Sequence, residues 1–81
     1  MSYFVYILEC SDQTLYTGIT KDVDKRLEEH NTSDKGAKYT KARRPVKLLY
    51  SESSPDRSTA SKREYAIKKL TRSEKLKLIG G

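Results

Sequence analysis

Tyr6, Tyr16, Arg26, His30 and Glu64 are the residues of this chain whose types suit chemistry on a charged substrate. Phenols and an imidazole can hold and pass protons, a guanidinium can fork onto an anion, and a carboxylate can ligate a cation. Arg26 and His30 are four residues apart, which on a helix puts both side chains on one face. That face borders the stripe of Val23 and Leu27, which the same helix would bury. On a later helix, at about 100° per residue, Glu64 falls roughly 40° from Ala60 and 60° from Ile67. It therefore sits at the edge of the apolar arc, where a solvated glutamate is not expected. Each residue also has an ordinary use. The tyrosines are common core aromatics, Arg26 can pair with Glu28 or Glu29, His30 complements a helix C-terminus, and Glu64 can pair with Lys68. As a set they are more than a core this small needs.

The elements that must position them can be read along the chain. Tyr3 to Leu8 is aromatic and β-branched on both faces, as in a strand covered on both sides. Ser11-Asp12-Gln13 has turn chemistry, and Leu15 to Ile19 reads as a second strand, giving a hairpin. A three-residue loop centred on Asp12 opposes Tyr6 to Gly18 and Leu8 to Tyr16, which places both tyrosines on one face and leaves space over the Tyr6 ring. A two-residue turn would separate them. Thr20 or Asp22 caps a helix running to about Asn31. Thr32 to Arg44 is polar and reads as loop, and Val46 to Tyr50 as a third strand. Ser53-Ser54-Pro55-Asp56 breaks that strand. Asp56 or Ser58 caps a longer helix ending near Leu70, and Thr71 to Ile79 forms a last short one before Gly80-Gly81, a frayed end. The predicted order is ββαβαα: an α+β domain with a three-stranded, mostly antiparallel sheet flanked by helices, over which the five polar residues converge on one face.

Composition bounds the rest. The chain has 81 residues, room for a single domain over residues 1–81 and a thin core. Its one cysteine, Cys10, and one histidine, His30, exclude an internal disulfide and a zinc centre built on Cys or several His. No apolar run approaches a membrane span and no signal-peptide core follows Met1, so a reducing cytoplasm is the expected address. The net charge is +6. Lys35, Lys38, Lys41, Arg43, Arg44 and Lys47 stand together with no acid among them and equal that whole surplus. A second basic run (Lys62, Arg63, Lys68, Lys69, Arg72, Lys75, Lys77) is only partly offset by Glu64 and Glu74. Such clusters suit phosphate tracking along nucleic acid, against the plainer alternative of a solvated face.

The same residues resemble the GIY-YIG endonuclease superfamily. Phe4-Val5-Tyr6 stands where the first triplet would be and Tyr16-Thr17-Gly18 where the second would be. Arg26 and His30 lie on the helix that follows, and Glu64 on the long helix after the third strand. The likeness spans Tyr3 to Ile79. It is greatest to a small stand-alone bacterial branch, on Asp22-Val23-Asp24-Lys25-Arg26, Gly36-Ala37-Lys38-Tyr39-Thr40 and Ile67-Lys68-Lys69-Leu70-Thr71-Arg72. Three features depart from the pattern. Phe4 and Val5 replace the name-giving Gly and Ile. Ile19 stands where excision-repair members carry lysine. No asparagine follows Glu64, as it does in several restriction enzymes.

The resemblance implies metal-dependent hydrolysis of a phosphodiester of DNA, ahead of RNA. Glu64 would ligate one Mg²⁺ (or Mn²⁺), Arg26 would grip the scissile phosphate, and Tyr6 or else Tyr16 would take the proton of the attacking water. The tyrosine's usual pKa of about 10 would have to be lowered by Arg26 or the metal, and His30, poised near neutrality, would accept a tyrosine hydrogen bond and pass the proton on. Lys35, Lys38, Tyr39, Lys41, Arg43 and Arg44 would hold the nucleic acid, with sequence selectivity low or supplied by a partner protein. The rival reading is a non-catalytic nucleic-acid-binding module of the same fold.

Overall fold

A computed structural model describes residues 2–33 and 35–80; Gly81, half of the expected frayed end, lies outside them. The elements are β1 (Tyr3–Glu9), β2 (Leu15–Thr20), α1 (Val23–Thr32), α2 (Lys38–Lys41), β3 (Lys47–Ser54), α3 (Arg57–Lys68) and α4 (Arg72–Ile79). The strands form one sheet in the order β2-β1-β3, with both pairings antiparallel.

β1 is central, and Val5, Tyr6, Ile7 and Leu8 are all buried, which explains its lack of apolar–polar alternation. Its odd residues Val5 and Ile7 pack against Ala60 and Ile67 of α3, with Leu15, Ile19, Leu78 and Ile79 around them. Its even residues Tyr6 and Leu8 pack with Cys10, Val46, Tyr16 and Leu27 on the side of α1. The sheet thus separates two helical layers, and the side chains of β1 alternate between them.

Local chemistry sets the ends. Asp22 caps α1 by accepting from the Lys25 amide at 3.1 Å, and Asp56 caps α3 through the Thr59 amide at 2.8 Å. Thr71 and Glu74 close a reciprocal capping box on α4. In the hairpin, Cys10 and Thr14 flank a three-residue loop centred on Asp12, with Gln13 at φ 69°. The expected register follows: Tyr6 opposes Gly18 and Leu8 opposes Tyr16.

Two boundaries differ from expectation. β3 runs on through Ser54 because its polar second half pairs with the start of β1, Tyr3 with Ser54 and Phe4 with Ser53. An irregularity between Ile7 and Leu8 shifts that register, so Ile7 faces Tyr50 and Leu8 faces Leu48. The segment read as loop contains the single-turn α2, whose side-chain anchor is Thr40: it is fully buried and its hydroxyl donates to the Ala37 carbonyl at 2.8 Å. One turn is too short to leave a helical period in sequence.

Candidate active site

The ring of Tyr6 lies over Gly18. A Cβ on Gly18 would fall 2.5 Å from the Tyr6 hydroxyl and 2.7 Å from the ring carbon that bears it. The space above that glycine is therefore filled by the phenol, whose hydroxyl is carried out to the edge strand β2. There it meets His30 Nε2 at 2.8 Å. His30 is fully buried, and its Nδ1 lies 2.8 Å from the Thr40 hydroxyl.

The Thr40 hydroxyl lies 2.8 Å from both the Ala37 carbonyl and His30 Nδ1; a proton given to the carbonyl makes Thr40 the acceptor of Nδ1–H and leaves Nε2 bare for Tyr6, whereas the Ala37 amide directed at Nδ1 from 3.4 Å suits the opposite tautomer. With either tautomer a continuous chain runs from Tyr6 through His30 and Thr40 to the backbone. Tyr16 sets its ring edge-on to His30 at 5.3 Å between centroids, and Tyr39 stacks on Tyr16 at 5.9 Å. Thr40 is the member that sequence reading missed, because only the fold of α2 turns it inward.

Burial pushes the Tyr6 hydroxyl up to about 12, outweighing the adjacent Arg26 guanidinium; Tyr16 and Glu64 add to the rise. Burial, then the charge of Arg26, pulls His30 down to about 4. Arg26 does not by itself make Tyr6 more acidic, and burial makes His30 a neutral imidazole instead of a base poised at neutrality.

Arg26 reaches Glu29 at 3.1 Å and the Lys35 carbonyl at 2.8 Å, and remains part-exposed beside Tyr6. Four of the five polar residues thus gather on the α1 side. Glu64 does not rise from that face, because its helix covers the opposite layer. Its half-buried carboxylate pairs with Lys68 at 3.4 Å and is felt at the Tyr6 hydroxyl as charge. Thr17, on the same layer, has a buried hydroxyl with no hydrogen-bond partner among the described residues. Among the described residues no three His, Cys, Asp or Glu side chains gather as a metal cluster.

The basic segment divides into two groups. Lys35, Lys38 and Lys41 are exposed. Arg43 pairs with Asp12 at 2.9 Å and lies 3.9 Å from the Tyr39 ring centre. Arg44 turns inward and donates to the carbonyls of His30 and Ser33, both at 2.6 Å, and of Glu29 at 3.4 Å. It closes the C-terminus of α1, so a phosphate role does not fit its guanidinium. A shallow hollow at the opposite end of α1 is lined by Phe4, Lys21, Asp22, Val23, Asp24, Leu48 and Ser51; its two aspartates oppose a polyanion.

The chain belongs to the GIY-YIG catalytic domain family, whose model matches residues 2–77. Within it, the chain is 58% identical over 78 residues to a UPF0213 protein of Desulfotalea psychrophila, covering 96% of this chain and 71% of that one. It is 59% identical over 78 residues to a UPF0213 protein of Staphylococcus aureus, covering 96% and 94%. A solution NMR structure of a UPF0213 protein from Bacillus halodurans superposes with a TM-score of 0.61 at 46% identity, over 98% of this chain and 83% of that one. One of an E. faecalis protein gives 0.63 at 42% identity, over 96% and 83%. None of these names states an activity. Among the described residues, no helix is long and apolar enough to cross a membrane.

Proposed function

We propose that this domain is a metal-dependent endonuclease that hydrolyses phosphodiester bonds, with DNA ahead of RNA as substrate. The observation that carries this reading is the buried hydrogen bond of 2.8 Å between Tyr6 and His30, held beside the part-exposed cation of Arg26. A structural core gains little from burying an imidazole and a phenol together beside a part-exposed guanidinium. A phosphoryl-transfer site needs all three.

Because Tyr6 is protonated at neutral pH, it acts as a relay. As the attacking oxygen bonds to phosphorus its proton becomes acidic and passes to the Tyr6 oxygen, while the Tyr6 proton moves to His30 Nε2. The imidazolium keeps its Nδ1–H on Thr40 and is short-lived, since burial and Arg26 oppose its charge. Arg26 exchanges its Lys35 carbonyl bond for the scissile phosphate, where its planar donors match two oxygens. Tyr16 packs the imidazole in place and is the second candidate for the proton acceptor.

Mg²⁺ or Mn²⁺ fits the donor set in a restricted way. Glu64 offers one hard oxygen ligand on a half-buried side chain of α3. The remaining shell would be water and phosphate oxygen, which Mg²⁺ accepts. Bound there, the ion would supply positive charge against the developing phosphorane and leaving oxygen. Exposed Lys35, Lys38 and Lys41, with Tyr39 and Arg43, would hold the backbone. The chain acts in this reading as one domain over residues 1–81 in the cytoplasm, with selectivity supplied by a partner protein.

One observation favours the second reading, a binding module without catalysis: Glu64 is already paired with Lys68. Labelled single-stranded, duplex and branched DNA and single-stranded RNA, each incubated with Mg²⁺, Mn²⁺ or chelator, separate the two. Cutting that requires metal and disappears in Glu64→Ala, with binding retained, supports the nuclease. Binding without cutting under every condition overturns it.

A further inference from the structure

Lys62 and Tyr65 on α3 and Lys69 at its C-cap lie at i, i+3 and i+7 and form one outward stripe that the mechanism above does not use. Tyr65 is 63% exposed. The Lys69 ammonium lies over one face of its ring, 4.3 Å from the ring centre, so a stacking base would take the other face or displace it. Lys62 and Lys69 have no carboxylate partner among the described residues, in contrast to Lys68, which holds Glu64. The positions that flank Tyr65 along the helix are Ser61, Lys62, Ala66, Lys68 and Lys69, small or basic residues that would not seat a lipid surface or a hydrophobic partner. A lone exposed aromatic with an ammonium on each side along the helix suits an unpaired base lying between two phosphates.

We propose that this stripe is a second nucleic-acid contact, in which an unpaired base stacks on Tyr65 while Lys62 and Lys69 hold the flanking phosphates. The proposal rests on the nuclease reading only in taking nucleic acid as the ligand. Its position gives it a purpose. Tyr65 follows Glu64 directly, so the two side chains leave one helical turn about 100° apart. A strand whose phosphate lies at Glu64 meets Tyr65 next on its way out. The stripe would anchor that strand on the α3 side of the site, as Tyr39 and its lysines would on the α2 side.

The test is fluorescence anisotropy in chelator, so that no cutting intervenes, with a labelled oligothymidine and a labelled duplex of equal length. Tyr65→Ala should weaken oligothymidine binding roughly five- to a hundredfold and leave the duplex within about twofold, because only an unpaired base can stack. Tyr65→Phe should bind like wild type. Lys62→Ala/Lys69→Ala should reduce the slope of log affinity against log salt by about 1.4 on the single strand. Unchanged melting temperatures in all three variants would show that the losses are of contact and not of fold. If wild type binds and Tyr65→Ala binds equally well, the proposal is overturned and the nuclease reading stands. If wild type binds neither ligand, both are overturned.

Discussion

The Tyr6 hydroxyl occupies the volume that a side chain on Gly18 would need, with the virtual Cβ 2.5 Å away. Glycine at 18 is thus required by the phenol, whose ring is buried and cannot step aside. Gly18→Ala should destabilise the domain by about 1–3 kcal/mol through overpacking. For a chain of this size that is a fall in melting temperature of at least about 4 °C. It should also tear Tyr6 from His30, seen as a shift of the single histidine's ring resonances. A variant with wild-type melting and an unmoved histidine would refute the packing.

His30 should make stability depend on mild acid. Its folded pKa is pulled down to about 4 from a usual 6.5, so folding favours the neutral ring. Above pH 6.5 neither state carries the proton and nothing is lost. As pH falls below that, the unfolded chain takes up a proton the folded chain refuses, and stability drops until the pH passes about 4. A shift of that size corresponds to about 3 kcal/mol at full extent. Asp12, Asp56 and Glu74 have carboxyls held below their usual range, chiefly by hydrogen bonds to Thr14, Thr59 and Thr71. Their contributions are lost only at lower pH, which leaves the upper part of the window to His30. Chemical denaturation between pH 7 and 4.5 should show the decline in wild type and a flatter profile in His30→Gln. Equal slopes would contradict the assignment.

Arg44 and Lys38 carry the same charge and should behave oppositely. Arg44→Met strips the carbonyls at the end of α1 of their donor and should cost about 1–3 kcal/mol for groups left unsatisfied, with a modest effect on nucleic-acid affinity. Lys38→Ala and Lys41→Ala should leave melting unchanged and each reduce the salt slope of binding by about 0.7–0.9. Thermal melts beside a salt titration read both quantities. An Arg44 variant that melts like wild type but binds poorly would return Arg44 to the phosphate-binding set.

This contrast marks what the sequence could and could not disclose. The hairpin register was legible because parity of the loop and the glycine at 18 constrain it together, and Asp22 and Asp56 stood among the alternative caps because capping is local chemistry. Charge alone could not separate Arg44 from Lys38, since the difference lies in which carbonyls happen to end nearby. Glu64 was legible as an edge residue of its helix. That its helix covers the other layer depends on the path of the chain after β3, which no spacing encodes. The protonation of His30 was misjudged for one physical reason. Ordinary pKa values describe groups in water, and burial moves the imidazole toward neutrality of charge.

The direction of the Tyr6–His30–Thr40 chain gives the last prediction, and the single histidine makes it clean to read. The relay requires Thr40 to give its proton to the Ala37 carbonyl, so that neutral His30 carries its proton on Nδ1 and leaves Nε2 bare. Long-range ¹H–¹⁵N correlation at pH 7 should show that tautomer alone. Thr40→Val removes the acceptor without changing the volume, leaving Nδ1–H unpaired in the core at a cost of about 1–3 kcal/mol, while the Ala37 carbonyl still accepts from the Thr40 and Lys41 amides. The ring is then free to adopt the other tautomer, in which Nε2–H donates to Tyr6 and the relay points the wrong way. Cleavage by Thr40→Val should fall at least about tenfold, as expected for partial loss of proton transfer, while substrate binding and the Glu64 requirement persist. Finding the proton on Nε2 in wild type would reverse the chain and remove Tyr6 as the acceptor of the nucleophile's proton.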